Sequence, residues 1–292
     1  MLSSLKRLIK SKLQKTVIKP VLIPQLRSEL LQDRCALITG GTSGIGFAIA
    51  RAFLDSGANV VIAGRSQERL DKAQQTLLSL VSNDKQDTAS RVETICLDIT
   101  NINNAKAALD DLVSRLPESW HIDILVNNAG MTDDPAFLQT SEEDFDHILD
   151  VNLKGTYFIT QMVIAYMRDH NIQGNVLNIT SSSASRPALT PYMVSKWGEK
   201  GFTLGLAKTL SPYGIVVNAI APGPTATPMI RPQGFDSIEK PNSPIGRFCT
   251  PEEIANMAVI LTSALGRTII GDTVYMTGGS GIVTYDDVPY KL

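Results

Sequence analysis

The chain has 292 residues, 43% of them hydrophobic, enough for one large domain or two small ones around a substantial core. Its 27 basic and 29 acidic side chains leave a net charge of −2, which argues against nucleic acid as a partner. No run of about 18 apolar residues is present to span a membrane, and the N-terminus lacks the apolar core of a secretory signal. Three scattered cysteines (Cys35, Cys96, Cys249) fit a reducing, cytoplasmic setting as buried thiols, and their spacing excludes a zinc site.

The charge is uneven. Residues 1–33 carry seven basic side chains against Glu29 and Asp33, a net +5 that leaves −7 for the remainder. Leu2, Leu5, Ile9 and Leu13 share one helical stripe with lysines around it, and Pro20 and Pro24 end the pattern. This basic amphipathic arm has three readings. It is a helix packed on the parent domain or a sister subunit, a peripheral foot on an anionic membrane through residues 1–20, or a cleaved targeting peptide.

From Cys35 onward short apolar strands are predicted at 35–39, 59–63, 92–97, 122–126, 175–179, 216–220 and 273–276. Helices are predicted between them at 47–56, 67–82, 105–115, 141–169, 191–211 and 251–264. That alternation means α/β architecture, a doubly wound parallel sheet of about seven strands with helices on both faces. No internal repeat or low-complexity linker divides it. One domain, 34–280, is therefore expected between the arm and a tail at 281–292.

The first strand, the turn Gly40-Gly41-Thr42-Ser43-Gly44-Ile45-Gly46 and the helix after it form a phosphate-binding unit. Glycines let the backbone approach a pyrophosphate, and the helix N-terminus offers free N–H groups. The second strand ends in Ala63-Gly64-Arg65-Ser66, where NAD sites place an acid and an arginine accommodates a 2′-phosphate. Arg65 therefore favours NADP over NAD; the bland reading is a solvated loop arginine. Further on, Pro191 suits the first turn of a helix. Tyr192 and Lys196, four residues apart, share one face of that helix. A free phenol titrates near ~10 and must fall by about 2–3 units to exchange a proton near neutral pH, a shift a close ammonium favours.

Taken in order, these residues resemble the short-chain dehydrogenase/reductase family, in its single-domain branch, over roughly 34–280. Thr39-Gly40-x-x-x-Gly44-x-Gly46 resembles its cofactor turn, Asp98 its adenine-contacting acid, and Asn127-Asn128-Ala129-Gly130 the close of its fourth strand. Asn152 matches the catalytic asparagine, and Tyr192 and Lys196 the catalytic pair. Asn218-Ala219-Ile220-Ala221-Pro222-Gly223 matches the turn before the substrate lid, Thr227 the threonine near the carboxamide, and Pro251-Glu252-Glu253 the helix after the lid. The family's usual serine spacing falls on Ile179. Aligning the strand end Asn178-Ile179-Thr180-Ser181 instead gives the role to Ser181, with Ser182 and Ser183 as alternates.

The resemblance implies a Rossmann-type fold and NADP(H)-dependent hydride transfer with a small-molecule ketone or secondary alcohol. Tyr192 would be the acid/base, Lys196 would lower its pKa and hold the ribose, and Ser181 would hold the substrate oxygen. Asn152, at a kink in the long helix, would hold a water leading from Lys196 to solvent. Cofactor contacts would come from Gly40, Thr42, Ser43, Gly44, Ile45, Gly46, Arg65, Asp98, Ile99, Asn128, Ala129, Gly130, Tyr192, Lys196, Pro222, Gly223, Thr225 and Thr227. No metal is implied. Residues 224–245, rich in proline, would form the lid. Arg186 and Arg231 would meet an anionic group or simply be solvated loop residues, and Trp197 would pack in the core or a subunit interface. The tail, with Tyr285 and Tyr290, would cross to a neighbour in a dimer or tetramer. Two other readings, a nucleotide-sugar epimerase/dehydratase and a non-catalytic NADP-binding regulator, are disfavoured. The chain length and the Asn-Asn-Ala-Gly segment weigh against the first, the complete set Asn152, Ser181, Tyr192 and Lys196 against the second.

Overall fold

The computed structural model describes residues 27–81, 91–132, 135–230, 233–234 and 237–284; the amphipathic stripe of the arm, Arg231, Tyr285 and Tyr290 lie outside them. Seven strands form one parallel sheet: β1 (Cys35–Thr39), β2 (Asn59–Gly64), β3 (Val92–Cys96), β4 (Ile122–Asn127), β5 (Asn175–Ile179), β6 (Val216–Pro222) and β7 (Thr273–Met276). Their order is β3-β2-β1-β4-β5-β6-β7. The chain reverses its winding between β1 and β4, and in such sheets ligands bind beyond the carboxyl ends of the strands at that point.

Both faces of the sheet are covered, which is why its central strands read as unbroken apolar runs. On one face lie α1 (Gly44–Asp55), α2 (Gln67–Val81) and α7 (Pro251–Thr262), burying Ile49, Phe53, Leu70 and Ile254 against Ile38, Ile62 and Val126. On the other lie α3 (Ile102–Arg115), α5 (Thr156–Asp169) and α6 (Pro191–Leu210), packed on Leu37, Val61 and Leu125. Leu37 pairs with Val61 in β2 and Leu125 in β4, so this register keeps the second set on one face. Leu31 is fully buried in the first layer, its N–H bonded to the Ser56 carbonyl at 2.8 Å. The end of the arm, up to residue 33, is thus packed on the domain.

The helix expected over 141–169 is three pieces. α4 (Glu142–Leu149) starts in a capping box between Ser141 and Asp144, a π-helical stretch runs over Asp150–Gly155, and α5 follows. Cys35 and Cys249 are buried as expected, but Cys96 is exposed, because β3 is the edge strand and its last residue faces out.

Candidate active site

A cavity of about 660 Å³ opens at the carboxyl ends of the strands. Its floor is stitched together by two side chains. The Thr39 hydroxyl accepts from the N–H groups of Asn128 and Ala129, both at 3.0 Å, and Asn128 Nδ2 donates to the carbonyls of Thr39 and Gly40 at 3.0 and 3.1 Å. The glycine turn is thereby locked to the end of β4. Gly40 has φ of +65°, and a Cβ on Gly46 would lie 2.5 Å from the Gly40 carbonyl oxygen. Only glycine lets α1 begin so close to the turn. No side chain caps the first turn of α1, since Ser43 makes no cap bond, and that turn carries no acid. Its N–H groups and positive dipole end are left for an anion at the cavity wall. A dinucleotide pyrophosphate fits this cradle.

At one end of the cavity stand Arg65 and Asp98, with Ile99 beside them. Arg69 joins them, its Nη2 3.5 Å from the Ser43 hydroxyl; it was not anticipated, although it follows Arg65 by four residues. Asp98 Oδ1 accepts from the N–H and hydroxyl of Thr100 at 2.9 and 2.8 Å. Burial pushes its carboxyl up, but these bonds together with Arg65 and His147 hold it below its ordinary value.

At the other end, Tyr192 and Lys196 border the same cavity. Helix α6 begins as its sequence requires, with Pro191 in the first turn and the Thr190 hydroxyl accepting from the Met193 N–H at 3.4 Å. One turn then stacks the two side chains, and Lys196 Nζ lies 5.8 Å from the centre of the Tyr192 ring. Nζ also donates to the Ile179 carbonyl at 3.3 Å and to both oxygens of Glu199 at 3.0 and 2.9 Å. Glu199 escaped the sequence reading because a charge in a helix usually faces water; here it is 3% exposed. Its spacing from Lys196, three residues, was the available signal.

Ser181 lies two residues past the end of β5, and its hydroxyl caps the 3₁₀ turn Ser182–Ser185 by accepting from the Ser183 N–H at 3.1 Å. Ser181, Ser182 and Ser183 all border the cavity. Asn152 does not. It is wholly buried in the π-helical stretch, where Oδ1 accepts from the Met131 N–H at 2.9 Å and Nδ2 donates to the Met131 carbonyl at 3.0 Å and the Ser195 hydroxyl at 3.1 Å. It clamps the segment after β4 to helix α6. A Cβ on Gly130 would lie 3.3 Å from Asn152 Oδ1 and 3.7 Å from Lys196 Nζ, so the two side chains converge on that glycine.

Of the other expected cofactor residues, Thr42, Ser43, Gly44, Ile45, Ala129, Gly130, Pro222, Gly223, Thr225 and Thr227 border the cavity, while Gly46 is packed beneath it. Pro228, Met229 and Ile230 of the expected lid border it as well. Arg186 is neither solvated nor at the cavity. It is 1% exposed, and its Nη2 donates to the Ser280 hydroxyl at 2.7 Å, joining the loop before α6 to the turn after β7. Trp197 is 43% exposed, so it is not a core residue; its indole N–H donates to the Arg186 carbonyl at 2.8 Å. Among the described residues, no group of three or more His, Cys, Asp or Glu side chains could hold a metal ion, and no helix is long and apolar enough to cross a membrane.

Comparison with known proteins supports the fold. The sequence model of the family described as enoyl-(acyl carrier protein) reductase matches residues 40–281. A 3-oxoacyl-(acyl-carrier-protein) reductase FabG of Aquifex aeolicus is 37% identical over 253 residues, covering 85% of this chain and 98% of the relative. Two solved structures superpose with a TM-score of 0.74 at 28% identity. One is a variant of the actinorhodin polyketide ketoreductase with NADPH, covering 85% of this chain and 97% of its own. The other is a 3-oxoacyl-(acyl-carrier protein) reductase from Brucella melitensis with bound NAD, covering 90% and 98%.

Proposed function

The chain belongs to the short-chain dehydrogenase/reductase family, and from that premise we propose that it is an NADP(H)-dependent oxidoreductase interconverting a ketone and a secondary alcohol. The observation that carries this is the sharing of one cavity by the glycine cradle, Tyr192, Lys196 and Ser181. Bound nicotinamide supplies or accepts the hydride. The protein's part is position and a proton. The Ser181 hydroxyl, whose oxygen already accepts from Ser183, keeps its hydrogen to donate to the substrate oxygen. In reduction the Tyr192 phenol gives its proton to that oxygen, and in oxidation it takes the proton back. The Lys196 ammonium makes the phenol more acidic, and Asn152 holds the wall behind it.

Arg65 and Arg69 support NADP, since two guanidiniums beside the cavity suit a 2′-phosphate. The Aquifex relative makes a 3-oxoacyl thioester the first substrate class to test. Homo-oligomerisation is proposed through α5 and α6, where Tyr157 stacks on Phe202 and Val194, Trp197 and Leu204 stand exposed.

The test follows NADPH oxidation with acetoacetyl-CoA, ethyl acetoacetate and simple ketones. Tyr192→Phe is expected to lower turnover by ~10²–10⁴ with NADPH affinity nearly unchanged. Turnover that survives this change assigns the proton to another group.

A further inference from the structure

Helix α6 carries a carboxylate that the scheme above leaves without a role. Glu199 sits one turn after Lys196, and both are buried. The three donors of the ammonium are met inside the protein, two by the Glu199 oxygens and one by the Ile179 carbonyl. The positive charge that should act on Tyr192 is therefore compensated where it stands. Removing two charges from water is costly, and an apolar side chain would fill this space without that cost.

Building on the acid–base reading of Tyr192, we infer that Glu199 is a positioning residue, the counter-ion that fixes Lys196 beside Tyr192 and limits how strongly the ammonium acidifies the phenol. Among the described residues, neighbouring elements add no second counter-ion. β5 contributes the neutral Ile179 carbonyl and β6 has no ionisable side chain. The π-helical stretch contributes Asn152, with its Lys154 and Asp150 paired to each other at 3.0 Å on the surface. On α4, Glu142, Glu143, Asp146 and His147 are exposed. Past the 3₁₀ turn Arg186 is bonded to Ser280, and Lys200 of α6 reaches toward the Ala184 carbonyl and the Trp197 ring. Burial works against the charge on Lys196, but Glu199, joined by Tyr192, holds its pKa above the ordinary value. Burial pushes the Glu199 carboxyl up, against the pull of the Lys196 ammonium and its hydrogen bonds.

The test is a titration of tyrosinate absorbance in the NADP⁺-saturated protein. Wild type and Glu199→Gln are each compared with the same protein carrying Tyr192→Phe, so that the difference isolates Tyr192. Glu199→Gln is expected to lower the Tyr192 midpoint by roughly one unit, the effect of losing a compensating charge several ångströms away while Lys196 stays protonated; a raised midpoint, the result of burial neutralising the ammonium, overturns the inference. Glu199→Asp, with a longer ion pair, should fall between. A Gln variant with an unchanged midpoint overturns the inference, and a lowered melting temperature without that shift assigns Glu199 to packing alone. If the Gln variant does not fold, the Asp variant decides by the same criterion. The underlying reading fails separately, through turnover that survives Tyr192→Phe.

Discussion

Arg65 and Arg69 differ in how they reach the cavity: the first leaves the end of β2, the second rises from the first turn of α2. A phosphate between them would be held by charge-assisted hydrogen bonds, worth about 1.5–3 kcal/mol each. Arg65→Ala should therefore lower kcat/KM for NADPH about tenfold or more while leaving NADH nearly untouched. Parallel initial-rate measurements with the two cofactors check this; an equal loss with both would place Arg65 outside phosphate recognition. Sequence made Arg65 visible because its position after a strand has a known meaning. Arg69 lay hidden because a helix-start arginine looks like any solvated one. Arg186 and Glu199 were obscured for a different reason: a charged residue is usually solvated, and only the packing of distant segments buries these two.

At the level of elements, periodicity located 141–169 as one helix but could not reveal the π-helical widening, because its six residues are too few to establish a period of their own. Asn152 sits inside that widening, so the expected kink became the clamp between β4 and α6. Helix α7 was legible to its first residue, because Pro251-Glu252-Glu253 resembles the family's helix start after the lid, and the structure adds a capping box between Thr250 and Glu253. Its start also titrates. Glu253 is held down at about 2 by hydrogen bonds from Arg247, at 2.7 and 3.0 Å, and from the Thr250 N–H, against slight burial. A carboxyl lower in the folded than in the unfolded state stabilises above its unfolded value of 4.5 and loses that contribution as pH falls toward 2. The pair is about 40% exposed, so the effect is modest. Wild type should exceed Glu253→Gln in urea midpoint at about pH 6, and the gap should close between about pH 4.5 and 2. A gap that does not vary with pH removes Glu253 as the titrating group.

For the molecule as a whole, a parallel sheet covered on both faces followed from the alternation of strands and helices; the order of its strands came only from the structure. The two core layers followed from strand residues pointing alternately to opposite faces, as Ile38 and Leu37 do. What the pattern could not supply was the way the ends of β1, β4, β5 and β6 converge on one cavity, since that depends on side-chain bonds such as Thr39 to Asn128 across 89 residues of chain. The cavity joins elements of both layers, α1 with α6, so a ligand filling it ties the layers together and binds only the folded state. At a hundredfold excess over Kd, such a ligand stabilises by about 2.7 kcal/mol. For a domain of this size that is roughly 5–10 °C in melting temperature. NADPH should produce this rise, and NADH at equal concentration a smaller one, by about 1.4 kcal/mol for each tenfold weaker affinity. Thermal melts with each cofactor measure the difference, and a larger rise with NADH would reverse the assignment of the two arginines.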